Sequence, residues 1–284
     1  MSRTFPLTDN FESNPSFSCR LLPGMILLLQ LFLSSCATAP LQLDVAAVPQ
    51  EDNLDSSYLE KKLGEGGFYF VVLNYKLMDD MQLLNRLERI GARIVAYTER
   101  PEIRYKYAVI NSNYHNAISL PDGYIVLTRG LLEAITQEEE IAGILAHEIA
   151  HITHKHGVKL YEHQEGKSFS TIVGEKVFKI AADVHYKQAM ELQADQTGLR
   201  YLRRAGYDAE KFLALLAKVK ELEAKDQIIF EQAQKDNLKH KKTLDKYLMA
   251  DHPLTENRIV NARAYLPDVL LSEEVKYNEA DFIF

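Results

Sequence analysis

The stretch that decides the fold is His147-Glu148-Ile149-Ala150-His151, in which two histidines stand four residues apart. On a helix this spacing places both imidazoles on one face, where they can bind one Zn²⁺. The side chain of Glu148 leaves the same helix about 100° away from that of His147, next to a bound metal. It can therefore act as a general base in metal-assisted hydrolysis. The alternative is a pair of core histidines that bond to backbone carbonyls.

Apolar residues around this motif predict a largely buried helix. They recur at three- and four-residue intervals, and they are Ile141, Ile144, Leu145, Ile149 and Ile152. Thr136 and Glu139 have capping-box spacing, and the acidic run 138–140 places negative charge at the positive end of the helix dipole. We therefore expect the helix to begin near Thr136 and Gly157 to supply its C-cap.

A catalytic zinc site needs a third protein ligand. The run 152–156 after His151 does not supply the third histidine of the metzincin pattern. A second helix is predicted from His185 to Gly206, and it carries Glu191 and Asp195 one turn apart. Glu191 can then bind zinc, while Asp195 accepts a hydrogen bond from the second nitrogen of a ligand imidazole. The alternative is a solvated acidic face.

The remaining segments predict an α+β, mainly helical fold with a small sheet beside the zinc-binding helix. Short runs of β-branched and aromatic residues at 105–110 and 124–128 predict strands on either side of a loop at Asn116. Apolar periodicity predicts a further helix at 79–96. The polar stretch 223–250 is either a lid or partner surface over the site, or a solvated helical hairpin.

Four motifs, in order, resemble the zinc metallopeptidases of the HtpX, BepA and CAAX prenyl protease type 1 group. The HExxH motif is followed by Glu191-Leu192-Gln193-Ala194-Asp195, which resembles the ExxxD helix of that group. Upstream, 116–125 and 128–132 resemble its strand and helix before the zinc-binding helix. Downstream, His252-Pro253 with Arg258 resembles its late HP-and-Arg motif. The resemblance implies a zincin-like metallopeptidase domain.

Asp122 departs from this resemblance, because the group commonly has glycine at that position. The position is predicted to lie in a turn, and turns tolerate aspartate. We therefore expect the departure to leave the fold intact.

The resemblance also implies a role for each residue of the metal centre. His147, His151 and Glu191 would bind one Zn²⁺ per chain. Glu148 would be the catalytic base. Asp195 would orient a ligand imidazole, and in related enzymes this residue is sometimes described as a proton donor.

The sequence is compatible with two interpretations each of His252 and Arg258. By resemblance, His252 is a catalytic residue that approaches the metal from a loop anchored by Arg258. It would either stabilise the oxyanion or close the zinc position in a latent form. From the residues alone, His252 is equally a helix-start residue before Pro253, and Arg258 is equally a surface cation.

Substrate binding is implied for Asn116 and Ala117. By resemblance, their backbone lies on an edge strand that receives an extended substrate chain as an added strand. Backbone pairing of this kind gives little sequence specificity, so it favours unfolded segments.

The amino terminus predicts lipid attachment. Arg20 precedes an apolar run at 21–33, which is too short to span a bilayer and suits the core of a signal peptide. Leu33-Ser34-Ser35-Cys36 then matches a bacterial lipobox. We expect a signal peptide at 1–35, a tether at 36–57 that starts at the lipidated Cys36, and a metallopeptidase domain at 58–284. The alternative is an ordinary hydrophobic anchor.

Composition excludes some functions and indicates a compartment. A net charge of −7 and a pI near 5.8 argue against a nucleic-acid partner. Gly64-Glu65-Gly66-Gly67 lacks the lysine of a phosphate loop, which argues against a nucleotide. Of the two cysteines, Cys19 would be removed with the signal and Cys36 would be lipidated. The mature domain would then have no free thiol, as suits an oxidising periplasm.

These features predict a zinc metalloendopeptidase on the periplasmic face of the outer membrane. Ala37 after the lipidated cysteine favours the outer membrane, with an inner-membrane lipoprotein as the alternative. We expect its substrates to be misfolded or unassembled envelope proteins, with contact to the outer-membrane assembly machinery. The competing class is an envelope chaperone or assembly factor with a structural zinc site, or with a site latched by His252. Glu148 favours the enzyme, because a structural site needs no base.

Overall fold

The computed structural model describes residues 56–165, 178, 188–235, 248 and 256–271, and these residues form an α+β fold that is mainly helical, as predicted. In chain order the elements are α1 (Ser56–Asn74), α2 (Met81–Val95), β1 (Lys106–Ile110), β2 (Ala117–Leu120), β3 (Tyr124–Thr128), α3 (Arg129–Ala134), α4 (Glu138–Thr153), α5 (His156–Glu165), α6 (Gln188–Arg204), α7 (Lys211–Lys235) and α8 (Glu256–Leu271). The predicted signal peptide, Cys36 and His252 lie outside the described residues.

The predicted sheet is present, and it has three strands within the described residues, in the order β1-β3-β2. β1 is parallel to β3, whereas β2 is antiparallel to β3 and lies at the edge of the sheet. The segment predicted as a loop at Asn116 thus leads directly into the edge strand. β2 packs against α1 and α4, and its four residues are buried.

The turn between β2 and β3 explains why Asp122 is accepted. Asp122 has φ 59° and Gly123 has φ 86°, so both lie in the left-handed region. Aspartate is one of the few residues other than glycine that enters this region readily. Asp122 can therefore adopt the left-handed backbone conformation that glycine would have at this position.

α4 is the central helix, and almost all of its residues from Ile141 to Ile152 are buried. It packs against α2, α6, α7 and β2. The approach to α6 is close, because a Cβ added to Gly198 would lie 3.3 Å from the carbonyl carbon of Ala146. Glycine at this position lets α6 bring its carboxylates against the histidine-bearing face of α4.

Both ends of α4 differ from the prediction. The helix begins at Glu138, and the capping carboxylate is Glu140, which accepts from the backbone N–H groups of Thr136 at 3.0 Å and Gln137 at 3.2 Å. The predicted partner, Glu139, instead forms an ion pair with Lys211 at 3.0 Å. The capping box therefore starts one residue later than Thr136.

The predicted glycine C-cap is also wrong. Gly157 lies inside α5, and the left-handed residue after α4 is Lys155, with φ 54°. Its ammonium group lies 3.2 Å from the buried carboxylate of Glu60. We attribute the unusual backbone of Lys155 to this contact and to the sharp turn into α5.

Among the described helices, none combines the length and the apolar character needed to cross a bilayer. The predicted helix at 79–96 is α2, which Asp80 caps by accepting from the N–H of Leu83 at 3.0 Å. The helix predicted to end at Gly206 is α6, and Gly206 follows it with φ 72°.

Candidate metal centre

α4 and α6 bring together the three predicted metal ligands. His147 and His151 lie on one face of α4, and Glu191 faces them from α6. One ligand atom from each of the three lies within 4.8 Å of the others. The two Nε2 atoms are 3.0 Å apart, and they lie 3.5 Å and 3.4 Å from the Glu191 carboxylate oxygens.

This group fits a metal cation by its chemistry and its charge. Two imidazole nitrogens and one carboxylate oxygen are the ligand set that catalytic zinc accepts from proteins. All three side chains are buried, so their convergence would be costly without positive charge between them. Burial disfavours the charged form of His147, yet hydrogen bonds with Asp195 and Glu191 raise its pKa to about 9. The surroundings therefore favour a cation at this point.

Asp195 lies beside Nδ1 of His147, as the four-residue spacing of Glu191 and Asp195 predicted. Its Oδ1 lies 3.0 Å from Nδ1 of His147, so Nε2 of that ring faces the other ligands. Burial acts to raise the pKa of Asp195, but hydrogen bonds from Arg258 and His147 outweigh burial and lower it below the ordinary value. Asp195 is therefore ionised, with its Oδ1 beside the imidazole.

Arg258 is part of the centre, and its interpretation as a surface cation is wrong. The guanidinium group is buried and donates from Nε and Nη2 to the two carboxylate oxygens of Asp195, at 2.8 Å each. Its Nη1 lies 2.8 Å from Glu191. A single arginine on α8 thus fixes both carboxylates that α6 directs at the centre. The role predicted for it, to anchor a loop, concerns residues that are not described.

His156 was missed by sequence reasoning. Its Nδ1 lies 2.9 Å from Nδ1 of His151, and its Nε2 lies 3.1 Å from Oε1 of Gln193. Burial lowers the pKa of His156 to about 4, so the ring is neutral near neutral pH. The available signal was the run of histidines at 151, 154 and 156, which lies outside any ligand pattern.

Glu148 lines a cavity of about 60 Å³ whose walls come from β2, α3, α4, α7 and α8. Most of the cavity wall is apolar and comes from Leu131, Ile144, Phe212, Leu215, Leu216 and Val219. Asn116 and Ala117, the predicted substrate-binding residues, border the same cavity, and so does His147. The structure therefore brings the predicted base, one predicted ligand and the edge strand around one space.

A second contact missed by sequence reasoning joins the edge strand to α7. The backbone N–H of His115 donates to Asp226 at 2.9 Å, and its Nδ1 lies 2.7 Å from the other carboxylate oxygen. Asp226 is buried, and burial raises its pKa. His115 lines the cavity, so this contact lies at the edge of the cavity. The first part of the polar stretch 223–250 thus belongs to α7, and the stretch beyond Lys235 is mostly outside the described residues.

The arrangement defines a zincin-type metallopeptidase domain: two histidines four residues apart on a buried helix, a glutamate between them, and a carboxylate from a later helix. Residues 82–266 match the sequence pattern of Peptidase family M48. The chain belongs to this family. The match includes both helices of the metal centre, the sheet and Arg258.

The chain is also similar to individual members of this class. It is 26% identical over 292 residues to the putative beta-barrel assembly-enhancing protease of Vibrio cholerae, a match that covers 92% of this chain and 56% of that protein. It is 24% identical over 208 residues to the beta-barrel assembly-enhancing protease of Escherichia coli, covering 66% of this chain and 39% of that protein. The chain thus spans about half the length of these relatives, or less.

A further relative comes from a eukaryote. The mitochondrial metalloendopeptidase OMA1 of Schizosaccharomyces pombe is 27% identical over 139 residues, a match that covers 43% of this chain and 40% of that protein. The resemblance is therefore not limited to bacterial proteases.

Proposed function

We propose that the chain is a zinc-dependent endopeptidase that cleaves misfolded or unassembled proteins of the bacterial envelope. The observation that carries this proposal is the convergence of His147, His151 and Glu191 beside Glu148, at a cavity bordered by an edge strand. Family membership supports a peptidase. The names of the bacterial relatives support work on envelope proteins.

The side chains of the centre have separate tasks in this mechanism. His147, His151 and Glu191 would hold zinc, which when bound supplies a Lewis acid for the peptide carbonyl and lowers the pKa of water. Glu148 takes a proton from the attacking water and delivers it to the leaving amine. Asp195 keeps the His147 proton on Nδ1, so that Nε2 remains a ligand atom.

Arg258 supports this chemistry through its charge. Two carboxylates on one buried helix face repel each other unless a cation lies between them. The guanidinium group contacts both Asp195 and Glu191 at 2.8 Å, so it holds both carboxylates in place.

The edge strand supports binding of an extended peptide. The N–H of Thr128 donates to the carbonyl of Asn116 at 3.0 Å, which marks this pair as hydrogen-bonded across β3 and β2. Bonded and non-bonded pairs alternate in an antiparallel ladder, so the backbone of Ala117 faces away from β3. A substrate strand added there would run past Glu148. Since folded proteins do not offer a free strand, the enzyme would select unfolded segments.

The location in the envelope is also part of the proposal. The lipobox that ends at Cys36 supports a lipid anchor, and Ala37 supports the outer membrane over the inner one. We propose one domain at 58–284, tethered by 36–57 after removal of 1–35. Contact with the outer-membrane assembly machinery is part of the proposal, and the names of the bacterial relatives, which refer to beta-barrel assembly, support it.

The test is cleavage of an unfolded protein by protein that begins at Ala37. Casein should be degraded by the zinc-loaded protein, not by the chelated protein, and again after zinc is restored. A tightly folded protein of similar size should survive. Bound zinc without any cleavage of casein, also after His252→Ala, would refute the enzyme and support the chaperone or assembly factor. Faster cleavage by His252→Ala would identify His252 as a latch.

A further inference from the structure

We propose that His156 is a positioning residue for the metal centre, which keeps the proton of His151 on Nδ1 and so leaves Nε2 as the ligand atom. This inference rests on the proposed zinc site, because it concerns the orientation of one of its ligands. It assigns a role to a residue that lies outside the HExxH and ExxxD motifs.

Gln193 lies on α6 between Glu191 and Asp195 and sets the direction of a chain of hydrogen bonds. Its side-chain oxygen Oε1 is 3.1 Å from Nε2 of His156. An amide oxygen only accepts hydrogen bonds, so Nε2 of His156 must carry a proton and donate it. In a neutral imidazole the other nitrogen is then an acceptor. Nδ1 of His156 therefore presents a lone pair.

That lone pair faces His151. Nδ1 of His156 and Nδ1 of His151 are 2.9 Å apart, which is a hydrogen-bond distance. Since His156 accepts there, His151 donates and carries its proton on Nδ1. Its Nε2 is then unprotonated, and this atom is the one that lies 3.4 Å from Glu191 and 3.0 Å from Nε2 of His147. The direction of one hydrogen bond at Gln193 thus sets the ligand atom of His151.

Local backbone geometry places His156 for this contact. Lys155 ends the turn after α4 with φ 54°, a conformation that costs energy for a residue with a side chain. This turn starts α5 at His156 and folds its ring back against His151, where both imidazoles are 1% exposed. A straight continuation of α4 would carry residue 156 away from position 151, because five residues along a helix amount to about 500° of rotation.

Each of the two ligand histidines then has an outer partner beside its Nδ1 atom. The two partners differ in chemistry. Nδ1 of His147 lies 3.0 Å from the carboxylate of Asp195, and Nδ1 of His151 donates to the imidazole of His156. Both partners are fixed in turn by α6 or α8, through Gln193 and Arg258. Outer partners of this kind set the tautomer of a ligand histidine and tighten metal binding.

The experiment measures zinc affinity at one pH by competition with a chromophoric chelator, in protein that begins at Ala37. His156→Leu removes the acceptor and should weaken zinc binding about 10- to 100-fold. His156→Asn places an oxygen near the position of Nδ1 and should restore most of the affinity. His154→Leu is the matched control, because His154 lies in the same turn but bonds to Thr197 at 2.8 Å. It should bind zinc like the wild type.

A second pair of variants tests the direction of the relay. Gln193→Glu keeps an accepting oxygen and should retain zinc affinity, whereas Gln193→Leu should lose part of it. These variants also keep the inference testable if His156→Leu does not fold, which circular dichroism would reveal. Equal zinc affinity in the wild type, His156→Leu and Gln193→Leu would overturn the proposal.

The tautomer itself is measurable without metal. Nitrogen-15 chemical shifts of the histidines in metal-free wild type should place the His151 proton on Nδ1. A proton on Nε2 would overturn the relay whatever the affinities. Absence of zinc binding by the wild type would refute the proposed function, whereas the tautomer measurement would still decide the role of His156.

Discussion

At the scale of residues, the sequence predicted the side chains that belong to a motif with fixed spacing. It did not predict the side chains that belong to no motif. The HExxH and ExxxD motifs have fixed helical spacing. The sequence alone could therefore place His147 and Asp195 on helix surfaces that face each other. Arg258 lies on a polar stretch of sequence, where a buried and an exposed arginine look alike. Only packing of α8 on α6 shows that its guanidinium group is 4% exposed and bound to two carboxylates.

Removal of Arg258 should therefore destabilise the domain strongly. Arg258→Met leaves two buried carboxylates without their cation, and breaking a buried ion pair costs about 3–5 kcal/mol. Arg258→Lys keeps the charge but cannot bind Asp195 with two parallel hydrogen bonds, so its loss should be intermediate. Urea denaturation of metal-free protein measures the difference.

Arg263→Met provides the control for this prediction, because Arg263 lies on the same helix and is exposed. Its free energy of unfolding should stay within about 0.5 kcal/mol of the wild type. A loss for Arg258→Met as small as that of the control would contradict the role given to the buried guanidinium group.

At the scale of elements, the apolar periodicity predicted α2, α4 and α6, because each buries one face. Helix ends were less predictable. Two neighbouring glutamates near the start of α4 offer similar capping spacings, and tertiary contacts decide between them: Lys211 takes Glu139, and Glu140 caps. The glycine rule failed at the other end, because Lys155 adopts the left-handed conformation.

The cap of α4 should make part of the domain's free energy of unfolding sensitive to acid. Burial acts to raise the pKa of Glu140, but hydrogen bonds from Lys218, Gln137 and Thr136 outweigh it and lower the pKa. A lowered pKa means that the stabilisation is present above the ordinary value of 4.5 and is lost as pH falls through the folded value. Glu140→Gln should thus cost about 1 kcal/mol at pH 7 and progressively less in acid.

Thermal denaturation of the wild type and of Glu140→Gln, from pH 7 down to acid pH, tests the cap. Glu221→Gln is the control, because Glu221 is exposed on α7. Its effect should be small at every pH. A Glu140→Gln deficit that does not shrink toward acid pH would show that the cap does not act through the ionised carboxylate.

The close contact between α4 and α6 yields a prediction about the site. A side chain at position 198 would press on backbone atoms of Ala146 and His147, which cannot yield as a flexible side chain could. Gly198→Val should push α6 outward, lower the melting temperature, and weaken zinc binding by moving Glu191. Gln196→Val introduces valine at another position of the same helix, and it should leave the zinc affinity close to that of the wild type. Unchanged zinc affinity in Gly198→Val would contradict the packing argument.

At the scale of the whole molecule, the sequence predicted the fold class and the family, because four ordered motifs extend over most of the domain. The match to Peptidase family M48 over 82–266 confirms that resemblance. The place of the chain in the envelope depends on a short lipobox, and the roles of Cys36 and His252 stay predictions. The contacts of His115 and His156 could not be predicted for two different reasons. His115 meets Asp226 only because α7 packs beside it, and His156 meets His151 only because the left-handed Lys155 turns the chain back after α4.

The lipid anchor can be tested in bacterial cells. Cys36→Ser removes the thiol that would be acylated, so the protein should leave the membrane fraction and remain as an uncleaved precursor or a soluble form. Cys19→Ser, which lies before the apolar run, should stay in the membrane fraction like the wild type. Membrane attachment of Cys36→Ser equal to that of wild type would support a hydrophobic anchor instead. Mass analysis of the mature amino terminus would identify the acyl groups.

The central claim is that one zinc ion held by two helices lets Glu148 hydrolyse peptide bonds. Its most direct test is the rate of casein cleavage by Glu148→Gln relative to wild type, measured together with zinc content. Glutamine keeps the shape of the side chain but cannot take up the proton. We expect one zinc per chain in both proteins and a cleavage rate at least about 100-fold lower in the variant. Equal cleavage by the two zinc-loaded proteins would contradict it.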